Sequence, residues 1–245
     1  MAIRNDGFNL TQKSIFEELD AHFVTWKIYA SQYPLSYGSL FFKYVSARAA
    51  QHVFPMSQYY ADLANGKLPN VSFVDPQLIE EPNVENDEHP PADIQLGQKF
   101  SSDVINGLMA SPEWPTSALF FAYDEHGGYY DHVPPPAAVP PDNIAPLLQP
   151  GDVNAAFDRY GIRVPVAVVS PYAKSHFVSH VVHDHTSILA FIEYRFGLPA
   201  LTARDAAADP MLEFFDFDNP PFMTPPTLPT AVVDQAQLEA CTPAP

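Results

Sequence analysis

Carboxylate and imidazole side chains, which can bind a metal ion or move a proton, are concentrated in three short segments of this 245-residue chain. The densest is segment 124–132, Asp-Glu-His-Gly-Gly-Tyr-Tyr-Asp-His, which holds Asp124, Glu125, His126, Asp131 and His132. Adjacent carboxylates such as Asp124 and Glu125 repel each other unless a cation neutralises them. Oxygen ligands with imidazoles nearby suit a divalent ion. The segment therefore predicts a metal site, and the alternative is a solvated polar loop.

The second segment, 85–93, reads Glu-Asn-Asp-Glu-His-Pro-Pro-Ala-Asp. The Pro90-Pro91 pair restricts the backbone of the preceding His89 to an extended conformation. An imidazole held on a stiff loop among carboxylates can act as a general acid, or it can donate a hydrogen bond to an anionic oxygen. The alternative interpretation is an acidic surface loop.

The third segment, 180–187, reads His-Val-Val-His-Asp-His-Thr-Ser and precedes a run with helical periodicity. Backbone N–H groups at a helix N-terminus, with imidazoles such as His185 beside them, favour an anion or help to hold a metal ion. The alternative is that Asp184 or Thr186 caps the helix and the histidines are incidental. Six of the nine histidines lie in the three segments, which packing alone does not explain: His89, His126, His132, His180, His183 and His185.

The elements that must position these segments alternate along the chain. Apolar periodicity and β-branched content predict strands over 24–29, 71–74, 118–123 and 164–169, and helices over 14–19, 39–50, 57–64, 98–109 and 186–196. The runs 118–123 and 164–169 are continuously apolar, as in strands buried on both faces. This alternation predicts an α/β fold with a largely parallel sheet. In such sheets, ligands bind beyond the carboxyl ends of the strands, which is where segment 124–132 begins.

Composition limits the function classes. The chain has 12 basic and 29 acidic side chains, a net charge of −17, which argues against nucleic acid because phosphate backbones require Lys and Arg. The single Cys241 excludes a disulfide framework and a cysteine-based zinc site within the chain. No apolar run is long enough to predict a transmembrane segment. The first residues lack the apolar core of a signal peptide. The sequence assigns neither a cellular compartment nor an oligomeric state.

Four motifs together resemble one family. In order, they are Glu-Asn-Asp-Glu-His-Pro (85–90), Tyr-Asp-Glu-His-Gly-Gly-Tyr-Tyr-Asp-His-Val-Pro-Pro (123–135), Gly-Ile-Arg-Val-Pro-Val-Ala-Val-Val-Ser-Pro-Tyr (161–172) and Asp-His-Thr-Ser-Ile-Leu (184–189). They are similar to motifs of the phosphoesterase family, which contains non-specific phospholipases C and related acid phosphatases in the alkaline-phosphatase-like superfamily. The resemblance covers about residues 11–215. It implies a three-layer α/β/α sandwich with a mostly parallel sheet.

The resemblance also implies an activity and roles for individual residues. The family hydrolyses phosphate esters with a divalent metal ion and a hydroxyl nucleophile, so the expected substrate is a phosphate ester or a phospholipid. Asp124 and Glu125 match the metal-ligating pair, and His89 matches the histidine that contacts the phosphoryl group. Supporting roles around the substrate are expected for His126, Asp131, His132, Asp184 and His185.

One part of the family pattern is not found in this sequence. Family members have a Glu-Asn-Arg-Ser-Phe-Asp-like segment that supplies two further metal ligands, followed by a Thr or Ser nucleophile, and nothing before Ile15 resembles either. The chain is therefore expected to be the C-terminal half to two-thirds of such an enzyme, with a phosphoesterase domain over 1–218 and a Pro-rich tail over 219–245. A catalytically inactive fragment that retains a metal-binding or anion-binding site is the alternative function. A purely structural protein would leave the histidine clustering unexplained.

Overall fold

The fold is described from a computed structural model, which describes residues 10–77, 85–89, 92–153 and 155–241. The chain divides into two compact units, Met1–Ser117 with Phe222–Pro245, and Ala118–Pro221. The elements of the first unit are α1 (Ile15–Ala21), β1 (Trp26–Ala30), α2 (Tyr37–Phe41), α3 (Lys43–Ser46), α4 (Ala49–His52), β2 (Val53–Pro55), α5 (Met56–Ala64), β3 (Val71–Asp75), α6 (Ile94–Met109) and α9 (Gln235–Cys241). Those of the second are β4 (Leu119–Ala122), β5 (Val166–Val169), α7 (His185–Phe196) and α8 (Ala203–Ala207).

The sheet of the first unit is parallel, with strand order β2-β1-β3. Ile28 in the central strand pairs with Val53 on one side and Phe73 on the other. The central strand is almost completely buried, since parallel strands joined by helical crossovers are covered on their faces. The predicted α/β fold with a parallel sheet is therefore confirmed.

A buried polar cluster fixes the central strand against α5. Asp62 is 5% exposed, and its carboxylate accepts hydrogen bonds from Lys27 Nζ at 2.5 Å, Tyr29 Oη at 2.7 Å and Gln58 Nε2 at 2.8 Å. Burial alone would raise the pKa of Asp62, but these three donors outweigh it and lower the pKa. Because each donor stabilises the charged carboxylate, the cluster avoids the cost of an unpaired buried charge.

The helix predicted over 39–50 is divided into three short helices, so this prediction is wrong in its continuity. Phe42 leaves the helical conformation at φ −105°, ψ 120°, and it forms a parallel bridge with Leu10. The backbone of Leu10 bonds to the residues on either side, through Leu10 N to Phe41 O at 2.7 Å and Lys43 N to Leu10 O at 3.1 Å. A distant segment therefore takes the hydrogen bonds that a continuous helix would use.

The second unit contains an antiparallel pair, β4 and β5, in which Leu119 pairs with Val169 and Ala122 with Val166. The described residues between the strands form irregular loop without a helical crossover, so the chain returns antiparallel. The apolar runs predicted strands that are buried on both faces, and this prediction is wrong. The two strands are half-buried to exposed. Helix α7 follows the prediction closely: Asp184 is its N-cap, and Gly197 ends it at φ +66°.

The residues that follow the second unit pack in the first. The Trp114 indole donates to the Phe222 carbonyl at 2.8 Å, and Leu238 on α9 is 8% exposed. The division into a domain over 1–218 and a tail over 219–245 stays a prediction. No helix in the described part of the chain is long and apolar enough to cross a membrane.

The carboxylate at the end of β3 gives the first unit a defined pH dependence. Burial raises the pKa of Asp75 to about 6, although the backbone N–H of Tyr37 donates to it at 2.9 Å and favours the charged form. In the unfolded chain the pKa of an aspartate is about 3.9. The folded state therefore holds this proton more tightly, and the contribution of Asp75 to stability falls by up to about 3 kcal/mol between pH 4 and pH 7.

Asp75→Asn should remove the fall in folding stability between pH 4 and pH 7, because asparagine keeps an oxygen for the Tyr37 amide but does not ionise. Urea unfolding at pH 4 and pH 7 measures the difference. Asp142→Asn, which removes an exposed carboxylate that also accepts a backbone N–H, is the matched control. Equal pH slopes for the two variants would contradict the assignment.

Candidate active site

The loop that carries His89 is anchored at the carboxyl edge of the parallel sheet. The Asn86 side chain accepts a hydrogen bond from Gln77 N at 2.5 Å, just after β3, and donates to Ser31 Oγ at 3.2 Å, just after β1. Ser31 N in turn donates to the carbonyl of Asp75 at 3.0 Å. The motif therefore lies where ligands bind in parallel α/β sheets.

His89 itself is exposed in this loop. Its backbone N–H donates to Asp87 Oδ1 at 3.3 Å, and its carbonyl accepts from Ala92 N at 2.9 Å. Both bonds are local, and they fix the turn at this residue. Pro90 and Pro91, which the sequence predicted to stiffen this loop, lie outside the described residues.

Gly97 on helix α6 lets that helix pack directly against the His89 loop. A Cβ at this position would overlap the backbone carbonyl of Asp87 and would lie 2.6 Å from Glu88 Cγ. Because real Cβ contacts do not become so short, any side chain here must displace the loop backbone. Gly97 is a positioning residue that the motif did not reveal, because a glycine inside a helix carries no chemical signal.

The carboxylate pair of the second unit lies immediately after strand β4. Asp124 is exposed, and it has no hydrogen bond or ion pair within the described residues. Glu125 Oε2 accepts the backbone N–H of Gly127 at 2.8 Å and lies 3.4 Å from His126 Nδ1. Gly127 and Gly128 both have positive φ, +64° and +76°, so this turn requires residues that tolerate the left-handed region.

The third carboxylate of this loop is neutralised by an arginine. Arg163 donates through Nε to Asp131 Oδ2 at 2.7 Å and through a terminal nitrogen to Oδ1 at 2.9 Å. These bonds, together with one from the Val133 backbone amide, hold the pKa of Asp131 well below its usual range. His132 makes only a long contact, with Nδ1 3.7 Å from Asp131 Oδ1, and its side chain is 83% exposed. The Asp131–Arg163 pair therefore holds this end of the loop in place.

The start of helix α7 contacts the strand that leads into this loop. Asp184 caps the helix and accepts a hydrogen bond from Thr186 Oγ1 at 2.6 Å. His185 Nε2 lies 2.8 Å from the carbonyl oxygen of Tyr123, the residue before Asp124. Since a carbonyl can only accept, Nε2 must carry the proton. The structure thus brings together two segments separated by 62 residues in sequence.

A further cluster of the second unit involves a histidine that the sequence singled out and two carboxylates that it did not. His183 Nε2 lies 2.6 Å from Glu213 Oε1, and its Nδ1 lies 3.9 Å from Asp209 Oδ1. Burial alone would raise the pKa of Glu213, but hydrogen bonds from Ser179 and His183 outweigh it and lower the pKa. These three side chains are a possible metal-binding group. Asp209 and Glu213 lie 26 and 30 residues after the histidine, Glu213 in a short 3-10 helix (Leu212–Phe214), so no spacing motif predicted them.

Asp124 and Glu125 have the chemistry that a divalent metal ion requires. They are hard oxygen ligands, both are exposed, and no Lys or Arg among the described residues forms an ion pair with either. Two side chains fill only part of the coordination shell of such an ion, so further protein ligands or water must complete it.

Comparison with known proteins gives one consistent result. A sequence model of the Phosphoesterase family matches residues 8–199. The chain is 36% identical over 236 residues to Non-specific phospholipase C1 of Arabidopsis thaliana, with 89% of this chain and 43% of the relative covered. It is 37% identical over 215 residues to Non-specific phospholipase C6 of the same plant, covering 80% and 40%. Phospholipase C B of Mycobacterium tuberculosis (strain ATCC 25618 / H37Rv) is 33% identical over 239 residues, covering 86% and 44%. The chain spans less than half the length of these relatives.

The close approach at Gly97 yields a direct test of how the His89 loop is held. Gly97→Ala should destabilise the first unit by about 1–3 kcal/mol, as overpacking does, and should speed amide exchange over 85–89. Gly107→Ala on the same helix is the control, because its Cβ would meet only movable side-chain atoms of Leu63 and Tyr60 at 3.3 Å. There the helical preference for alanine should dominate and stability should change little or rise by up to about 1 kcal/mol. The same effect from both variants would contradict the positioning role of Gly97.

Proposed function

This chain belongs to the phosphoesterase family, and from that membership we propose that it serves in the metal-dependent hydrolysis of phosphate esters, in the manner of a phospholipase C or an acid phosphatase. The observation that carries the proposal is the family match over residues 8–199, which includes the exposed Asp124–Glu125 pair without a cationic partner among the described residues. The relatives named phospholipase C favour a phospholipid substrate, and a phosphate monoester is the second candidate.

Asp124 and Glu125 are proposed to hold one divalent ion. When bound, the ion would supply positive charge that stabilises the negative charge developing on the phosphoryl oxygens. The Gly127 N–H bond fixes one oxygen of Glu125, which reduces the freedom that the side chain must lose on binding. Asp131, already paired with Arg163, is less suited to be a ligand and is proposed to orient the loop.

His89 is proposed to act on the phosphate group. An exposed imidazole on an anchored loop can donate a hydrogen bond to a phosphoryl oxygen, or a proton to the oxygen of the leaving group. The anchoring of this loop by Asn86 and its packing on Gly97 support this role, since a general acid must be held in place.

The other predicted residues are proposed to support the loop after β4. His126 lies beside Glu125, and His132 lies beside Asp131. Asp184 caps the helix that presents His185 to the Tyr123 carbonyl. Such contacts orient groups around a metal or substrate, and their loss in metal sites commonly costs 10–100-fold in affinity or activity.

A second candidate function is a non-catalytic segment that binds a metal ion or anion. The exposed Asp124–Glu125 pair supports it, because two adjacent carboxylates can bind a cation without catalysing a reaction. Both functions use the Asp124–Glu125 pair. A measurement of hydrolysis therefore distinguishes them, whereas a measurement of metal binding alone does not.

The activity test uses a chromogenic phosphate monoester and phosphatidylcholine, each with and without an added divalent metal. The proposed function gives metal-dependent turnover, and the double variant Asp124→Asn, Glu125→Gln should lower kcat/KM at least about 100-fold because it removes the metal charge. Asp142→Asn, which loses an exposed carboxylate elsewhere in the second unit, should retain activity.

The outcomes divide the two candidates. Turnover that is lost in the double variant supports the hydrolase. No turnover from the folded, metal-loaded chain, together with metal uptake that the double variant abolishes, supports the non-catalytic segment. Turnover that survives both the double variant and chelation contradicts the proposed mechanism.

A further inference from the structure

His183 is a buried histidine with one of its ring nitrogens left unpaired. Its side chain is only 9% exposed, and Nδ1 has no hydrogen-bond partner among the described residues. The other nitrogen is well occupied, since Nε2 lies 2.6 Å from Glu213 Oε1 and 3.3 Å from Ser179 Oγ. A buried polar atom without a partner costs free energy of folding. An unpaired Nδ1 at this position therefore indicates a site that can bind a ligand.

The Glu213 contact decides which ring nitrogen carries the proton. A carboxylate accepts hydrogen bonds, and Ser179 Oγ also donates to Glu213 Oε1, at 2.8 Å. Nε2 must therefore be the protonated nitrogen. In the neutral ring, Nδ1 then carries a lone pair and cannot donate.

A carboxylate oxygen, which is also electron-rich, lies close to that lone pair. Asp209 Oδ1 lies 3.9 Å from Nδ1, too far for a hydrogen bond, and it accepts the backbone N–H of Met211 at 2.8 Å. A lone pair and a carboxylate facing each other are unfavourable by themselves, whereas a cation between them satisfies both.

We propose that His183 and Asp209 form a second divalent-metal site in the second unit, with Glu213 as the positioning residue that holds the His183 ring. The site shares no residue with Asp124 and Glu125. A ligating histidine usually donates its other N–H to a carboxylate, which fixes the tautomer and orients the lone pair toward the metal, and this is the arrangement of His183 and Glu213.

The donor set favours a transition-metal ion such as Zn²⁺ over Mg²⁺ or Ca²⁺, because imidazole nitrogen is a ligand that the harder ions seldom use. Ligands on a tetrahedral zinc ion lie about 3.4 Å apart, so the 3.9 Å gap must close by about half an ångström. Asp209 is exposed and can move by this amount, and water can fill the remaining positions from the open side.

Occupancy of the site would join two segments of the second unit: the irregular segment 179–183, and segment 209–213, which runs into a short 3-10 helix (Leu212–Phe214). The first leads directly into helix α7, whose first residue His185 contacts the Tyr123 carbonyl. A bound ion would therefore stabilise the segment that leads into this helix. This structural role requires no catalytic activity.

The test measures Zn²⁺ binding to the full chain by competition with a chromophoric chelator, and follows the imidazole nitrogens of ¹⁵N-histidine-labelled protein by NMR. His183→Gln assigns the His183 signals by their loss. In the native chain, one equivalent of Zn²⁺ should shift the Nδ1 resonance of His183 while its Nε2–H is retained. Asp209→Asn should weaken this binding at least tenfold, and Glu213→Gln should weaken it by about 10–100-fold.

Asp142→Asn is the matched control, because Asp142 is also exposed and also accepts the N–H of the residue two positions ahead, Ile144, at 2.7 Å. It should bind Zn²⁺ as the native chain does. Equal Zn²⁺ affinities for Asp209→Asn and Asp142→Asn would overturn the site. A His183 Nδ1 resonance that does not respond to Zn²⁺ in the native chain would overturn it even if a variant failed to fold.

Discussion

The electrostatics of the loop after β4 determine what this part of the molecule can do. Three carboxylates lie within eight residues, and only Asp131 has a cationic partner among the residues that the structure describes. Asp124 and Glu125 remain adjacent and exposed, with a backbone amide and a histidine as their neighbours. Strand β4 and the contact of His185 with the Tyr123 carbonyl set where this pair emerges. The fold thus maintains a site of uncompensated negative charge that a divalent cation can occupy.

The sequence predicted correctly those elements that are determined by residues within or next to the element itself. Helix α7 begins at an aspartate cap and ends at a left-handed glycine, and both signals are present in the sequence. Helix α5 and strand β3 likewise follow their apolar periodicity. The helix predicted over 39–50 was wrong in its continuity because Phe42 pairs with Leu10, 32 residues earlier, and periodicity carries no information about such a partner. The exposure and antiparallel pairing of β4 and β5 were missed because apolar runs do not report strand neighbours.

The same distinction applies to the candidate sites. Segment 124–132 was predicted because its chemistry lies within nine consecutive residues, and the segment starting at Glu85 was predicted for the same reason. The partners that hold these segments come from elsewhere. Arg163 lies 32 residues after Asp131, and Glu213 lies 30 residues after His183. Gly97 allows helix α6 to approach the His89 loop because it has no Cβ, and a glycine gives no chemical signal in the sequence.

The proposed function requires a divalent cation at the Asp124–Glu125 pair, and crystallography tests this occupancy most directly. Crystals of the chain soaked in Mn²⁺ should give an anomalous difference peak about 2.0–2.3 Å from carboxylate oxygens of both residues. The peak should vanish in the Asp124→Asn, Glu125→Gln protein. A well-ordered loop with no anomalous peak at these carboxylates would contradict the account.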